Sequence, residues 1–257
     1  MSLQVQQLVK HFDGVKAVNG VSFDVRAGEC VALIGPNGAG KSTCFACIAG
    51  QHALTSGQIH WNGRRLDNLN VQARLHAGVA RTFQVAQTFE ALTVLQNVQL
   101  TLGGGKGLSA WHSIDRRLAE PSRALLDKLD LLPMAHADVL GLPYGAKKRL
   151  ELAIALAGMQ GRGPAPQLLL LDEPAAGLAG PERAQLMQLV KSLAEGAPST
   201  GGGIAVLYTE HNMDAVFGVA DRVLVLIDGH LAAQGTPNEV AQDATVRERY
   251  LGKGFRA

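Results

Sequence analysis

The residues Gly35-Pro36-Asn37-Gly38-Ala39-Gly40-Lys41-Ser42 have the form G-x-x-x-x-G-K-[ST]. Glycines at these positions allow a tight loop whose backbone N–H groups turn inward around phosphate oxygens. Lys41 adds a point charge suited to the β- and γ-phosphates of a nucleotide, and the Ser42 hydroxyl is placed to ligate Mg²⁺. The candidate nucleotide-binding residues are therefore Asn37, Gly38, Ala39, Gly40, Lys41, Ser42 and the adjoining Thr43. A second cluster, Asp172-Glu173-Pro174, follows the apolar run Leu168–Leu171. A buried strand adjacent to the phosphate loop would deliver Asp172 to the Mg²⁺ shell and Glu173 to an attacking water. His211, two residues beyond Thr209, and Gln84, after Arg81-Thr82-Phe83, are polar groups close to apolar runs. A glutamine amide can coordinate Mg²⁺ or position water, but the local sequence around neither residue demands a role.

These side chains need a scaffold. Cys30-Val31-Ala32-Leu33-Ile34 predicts a buried strand before the loop. Thr43 to Ala49 predicts a helix after it, with its positive end toward the phosphates. Upstream, Leu3, Val5 and Leu8, then Val15, Val18, Val21, Phe23 and Val25, mark short strands with turns at Asp13-Gly14 and Ala27-Gly28. Residues 57–63 read as another strand, ending in an Asn62-Gly63 turn. From about Val94 to Ala157 the apolar spacing becomes helical, as in Leu118, Leu125, Leu126 and Leu129, then Leu150, Ala153, Ile154 and Ala157. Strand character returns at 168–171, 204–208 and 223–227, with a helix from Pro181 to about Glu195 between the first two. Residues 103–107, 161–166 and 195–203 read as loops. The expected fold is α/β: a P-loop NTPase core with an N-terminal antiparallel β-lobe and an inserted helical subdomain. One domain would span 1–257, with the β-lobe and core in 1–83 and 161–235, the helical subdomain in 84–160 and a helical tail in 236–257.

Bulk properties narrow the function classes. A hydrophobic content of 47% and charged content of 18% over 257 residues describe a globular chain, not a disordered one. No apolar run approaches the roughly 18 residues that a bilayer span needs. The opening Met1-Ser2-Leu3-Gln4-Val5 lacks the basic start and apolar stretch of a signal peptide, so a cytoplasmic location is expected. A net charge of +2, with no run of more than three lysines and arginines, argues against nucleic acid as a partner. Cys44-Phe45-Ala46-Cys47 spells C-x-x-C, but its apolar neighbours and helical setting predict core packing instead of redox or zinc chemistry. No Asn-Lys-x-Asp motif that would read guanine is present.

Five motifs in order resemble the ATPase subunits of ABC transporters: Gly35–Ser42, Gln84, Leu142-Pro143-Tyr144-Gly145-Ala146 with Lys147-Lys148-Arg149, Leu168–Glu173 and His211. The resemblance covers nearly the whole chain. It implies ATP and Mg²⁺ as cofactors and makes Phe12 the aromatic that stacks on adenine. Gln84 becomes a Mg²⁺ ligand that communicates with membrane subunits, Glu173 the catalytic base and His211 a switch touching the γ-phosphate. Implied partners are a second ATPase chain (identical or different), integral membrane permeases and, indirectly, a solute-binding protein. The chain would then sit peripherally on the inner face of the membrane. Paired cassettes and coiled-coil arms, usual in the soluble relatives of translation and DNA repair, are missing. Arg81-Thr82-Phe83-Gln84, Leu142–Gly145 with Arg149-Leu150-Glu151, Asp172–Leu178 and Glu210-His211-Asn212-Met213 are most similar to importers of branched-chain amino acids, urea or related amides. The tail Arg249-Tyr250-Leu251-Gly252 fits these and also the lipopolysaccharide exporters.

Two motifs depart from the family pattern. Pro143, Tyr144 and Ala146 replace the usual Ser, Gly and Gln of the signature that meets the partner's γ-phosphate, and proline supplies neither hydroxyl nor N–H. Backbone N–H groups of Gly145, Ala146 and Lys147 at a helix start would remain available. Ala179-Gly180 stands where an Asp or Asn usually ties two subunits together, so the alternative is a binding-only partner of low activity in an asymmetric pair.

Overall fold

The computed structural model of the chain describes residues 1–82, 88–104, 111–160, 167–196 and 203–252. Strands β1 (Ser2–Phe12) and β2 (Val15–Arg26) pair antiparallel across the Asp13-Gly14 turn, where both residues take positive φ. At 11 and 12 residues they exceed the short strands expected, because pairing continues through register shifts that realign the apolar face. Strand β4 (Ser56–Trp61) adds to β1 and turns at Asn62-Gly63 into β5 (Arg64–Arg65), giving the order β2-β1-β4-β5.

The second sheet holds β3 (Cys30–Ile34), β6 (Val79–Arg81), β7 (Leu168–Asp172), β8 (Ala205–Thr209), β9 (Arg222–Ile227) and β10 (His230–Gly235). Its order is β10-β9-β3-β8-β7-β6, parallel except for β10. Every residue of β3, β7 and β8 is buried, as strands covered on both faces must be. Alternate residues supply two cores. Leu168, Leu170 and Leu207 pack with the β-lobe and the helix after β3, whereas Leu169, Leu171 and Val206 pack with the helices of the opposite face. Each such buried leucine contributes about 2 kcal/mol.

The order corrects one expectation. Strand β7 is not adjacent to β3; β8 runs between them and pairs with both. Two parallel spacings, roughly 10 Å, therefore separate the phosphate-loop strand from the strand ending in Asp172.

Helix α1 (Lys41–Ala49) begins two residues earlier than expected. Arg74, buried in α2 (Val71–His76), closes its far end by donating to the carbonyls of Cys47 and Ile48, both at 2.6 Å. The helical region comprises α3 (Val94–Leu102), started by a Thr93–Gln96 capping box, α4 (Trp111–Lys128) and α5 (Tyr144–Gln160). Helix α6 (Gly180–Glu195) joins β7 to β8, and α7 (Met213–Phe217) leads to β9. Short helices α8 (Pro237–Gln242) and α9 (Ala244–Val246) precede the closing turn at Arg247–Leu251. The expected loop at 161–166, and most of those at 103–107 and 195–203, lie outside the described residues. No described helix is long and apolar enough to cross a membrane. Cys30, Cys44 and Cys47 are buried free thiols, and burial pushes Cys30 up to about 12 and Cys47 to about 11.

Candidate nucleotide-binding and catalytic site

Parallel strands β3, β6, β7 and β8 end at one edge of the sheet, so the segments after them converge there. The loop after β3 has a backbone only glycine permits. Gly35 takes φ 147° and Gly40 φ 98°. A Cβ on Gly35 would lie 2.0 Å from the Leu226 carbonyl oxygen, and one on Gly40 2.2 Å from that of Ala17. Asn37 and Gly38 are exposed, while Ala39 is buried and donates its N–H to Pro36 O at 3.2 Å, inside the loop. Helix geometry leaves the N–H groups of Lys41, Ser42 and Thr43 without intrahelical acceptors, since Cys44 makes the first such bond, to Gly40. Lys41 is buried, with its ammonium donating to the carbonyls of Gly35 at 2.7 Å and Pro36 at 3.0 Å. Burial pushes its pKa down, opposed by the charges of Glu173 and Asp172. The tail reaches the loop's start: burial raises the Tyr250 phenol, and the Gly35 N–H that it accepts works the other way. The loop and the first turn of α1 thus bring together an ammonium and N–H donors of the kind that bind phosphate.

The intervening strand β8 organises the carboxylates. Asp172 pairs with Thr209 in the β7–β8 register, and Thr209 Oγ1 donates to Asp172 Oδ1 at 2.7 Å. The other oxygen, Oδ2, accepts from Arg81 Nη2 at 2.6 Å, in an ion pair only 12% and 3% exposed at its two side chains. Glu173 leaves the strand with φ 49°, a strained value for glutamate. Its N–H is fixed by Thr209 O at 3.2 Å and Thr209 Oγ1 at 3.0 Å. The Glu173 side chain then meets His211, with Oε1 and Nε2 2.8 Å apart. Both side chains are partly exposed, within reach of water.

Beneath this pair lies Glu210, which is buried. Its Oε1 accepts from Ala175 N at 3.0 Å and its Oε2 from His211 N at 3.2 Å, joining the turn after Glu173 to the segment carrying His211. Burial raises its pKa, the N–H groups of Ala175, His211 and Asn212 lower it, and the Glu173 charge adds to the rise.

The remaining sequence candidates lie around this centre. Phe12, 39% exposed at the end of β1, has Lys10 Nζ 4.6 Å from its ring centroid and His52 edge-on at 5.2 Å. Pro143 and Tyr144 are exposed at the start of α5, and Tyr144 OH donates to Ala176 O at 3.3 Å, tying this segment to the Asp172–Leu178 turn. Lys147 N–H is taken by Pro143 O at 3.0 Å. The first-turn amides are thus those of Tyr144, Gly145 and Ala146, one position earlier than expected. Ala179 caps α6 without a side-chain hydrogen bond. Gln84 lies outside the described residues, directly beyond β6 and Thr82.

Hard oxygen donors at Ser42 and Asp172 suit Mg²⁺. Among the described residues no group of three or more His, Cys, Asp or Glu is gathered for a metal, so a cation here would take further ligands from phosphate and water. Sequence reasoning missed Arg81, Thr209 and Glu210 as parts of the site. Their signal was position, a polar residue at or just beyond the end of a buried strand, and only cross-strand register reveals the partner.

The ABC transporter family matches residues 18–176. The high-affinity branched-chain amino acid transport ATP-binding protein LivG of Salmonella typhimurium is 36% identical over 260 residues, covering 98% of both chains. BraF of Pseudomonas aeruginosa, described in the same terms, is 32% identical with the same coverage. A nucleotide-free ATP-binding cassette from an ABC transporter superposes with TM-score 0.81 at 28% identity, covering 98% of this chain and all of the other. The ADP conformation of MJ1267, another such cassette, gives 0.81 at 29% identity, with 98% and 100% covered. A glycine-built phosphate cradle, a carboxylate pair beside a histidine and full-length likeness to such cassettes converge: the chain belongs to the ABC transporter family, as an ATP-binding, ATP-hydrolysing subunit.

Proposed function

We propose that this chain drives import of branched-chain amino acids through separate integral permeases, as one of two ATPase chains on the cytoplasmic face of the membrane. The observation that carries this reading is the end-to-end likeness to LivG and BraF, with the importer-like motif at Glu210–Met213. Urea or related amides, delivered like the amino acids by a solute-binding protein, are the alternative cargo.

In this reading the amides of the loop and of the first turn of α1, with Lys41, hold the phosphates, and Phe12 stacks on adenine. Ser42, Asp172 and Gln84 would hold Mg²⁺, which when bound neutralises charge building on the transferred phosphoryl group. Glu173 takes the proton from the attacking water, and His211 fixes the Glu173 carboxylate through the 2.8 Å contact. The first-turn amides of α5 meet the nucleotide of the second chain. Lacking the hydroxyl and N–H that Pro143 cannot supply, they serve that partner weakly, which favours an asymmetric pair with unequal hydrolysis at its two sites. The same reading divides the chain into a β-lobe with the core, a helical subdomain at 84–160 and a tail. Between the end of β6 and the helical subdomain a cleft of about 460 Å³, walled by Thr82, Phe89, Glu151 and Ile154, suits a permease segment.

Glu173→Gln is expected to retain ATP binding and to lower hydrolysis at least 100-fold, on the order of a lost general base. Steady-state phosphate release checks it, with the permease partners present. Wild-type turnover in the variant would remove Glu173 from the role of base.

A further inference from the structure

Asp172 has no free carboxylate oxygen. Thr209 donates to Oδ1 at 2.7 Å and Arg81 to Oδ2 at 2.6 Å, and the ion pair is almost wholly buried. Arg81 occupies the last position of β6, opposite Leu170 of β7, so the sheet itself brings its guanidinium to Asp172. A second acceptor, Gln51 Oε1, holds Nη1, and the guanidinium carbon lies 6.0 Å from the Phe45 ring centroid in α1. Arg81 Nε is buried without a hydrogen-bond partner among the described residues, so the fork is incompletely satisfied. On its other side Arg81 lines the 460 Å³ cleft with Thr82 and Phe89.

We infer that Arg81 is a positioning residue for Asp172 that competes with the nucleotide's divalent cation for the Oδ2 face, so that loading the metal requires the guanidinium to yield. The inference rests on reading this edge as a Mg²⁺–nucleotide site. Arg81 holds the carboxylate in its rotamer between nucleotide cycles and sets the metal affinity by opposing it. Removing the guanidinium leaves an uncompensated buried carboxylate, which draws a divalent cation more strongly.

The test separates metal from nucleotide. ADP affinity is measured by calorimetry in EDTA, and Mn²⁺ affinity of the ADP complex by paramagnetic-resonance titration, for wild type and Arg81→Met. The expected result is Mn²⁺ binding tighter on the order of tenfold, with EDTA-condition ADP affinity within about threefold. Unchanged or weaker Mn²⁺ binding in Arg81→Met would overturn the inference. Absence of ADP binding by wild type would overturn the nucleotide reading itself, and the inference with it. If Arg81→Met alone does not fold, recovery of folding in Arg81→Met/Asp172→Asn supports the pairing, and failure of that pair to fold overturns it.

Discussion

At the scale of single residues, the site is built on buried polar groups that each tie two segments together. Glu210 is the clearest, since its two oxygens bridge the turn after Glu173 and the backbone of His211. Burial lifts its carboxyl above the ordinary value of 4.5. Between 4.5 and its folded value the native state therefore keeps a proton that the unfolded chain has lost. The stability linked to that proton is fully present below 4.5 and is lost as pH rises through the folded value. Glu210→Gln removes this titration. Relative to the variant, wild type should lose stability as pH rises from 4.5, as measured by urea melts across pH 4.5–8. Parallel pH profiles would contradict the assignment. Lys41, Ser42, Asp172 and Glu173 were legible in the sequence as candidates for chemistry, because their spacing is itself the signal. Arg81, Thr209 and Glu210 were not, because their partners lie 91, 37 and 35 positions away.

At the scale of elements, most strands and helices were legible because burial imposes period: β3, β7 and β8 read as unbroken apolar runs, and α3 to α5 as helical ones. Sheet order was not legible. An apolar run reports that a strand is covered, not which strand lies beside it, and so β8 was missed between β3 and β7. Helix α1 illustrates a similar gap. Its start was expected at Thr43, two residues late, and its end is closed by Arg74 from another helix. Arg74 donates to Cys47 O, Ile48 O and Leu69 O, and its bulk fills the space where a Cβ on Gly50 would stand 2.7 Å from its Nε. Arg74→Met keeps much of the volume but orphans buried carbonyls, and should cost about 3 kcal/mol. Chemical denaturation of the two proteins measures this, and a loss below about 1 kcal/mol would mean that water replaces the guanidinium.

At the scale of the whole molecule, two sheets and a helical region bring the ends of five parallel strands and the start of α5 toward one face. The loop glycines, Lys41, Asp172 and Glu173 gather at that face, where the sequence was most specific. Pro143 stands exposed at the start of α5, the segment that the proposed function turns toward a second chain. In the proposed function each chain would hold nucleotide with its cradle and depend on a partner's helix to finish the site. The central claim is that this cradle binds ATP through Lys41. Calorimetric titration of ATP into wild type and Lys41→Ala tests it most directly. Wild type is expected to bind saturably, and the variant at least tenfold more weakly, a loss of about 1.4 kcal/mol or more. Equal affinity in the two proteins would contradict it.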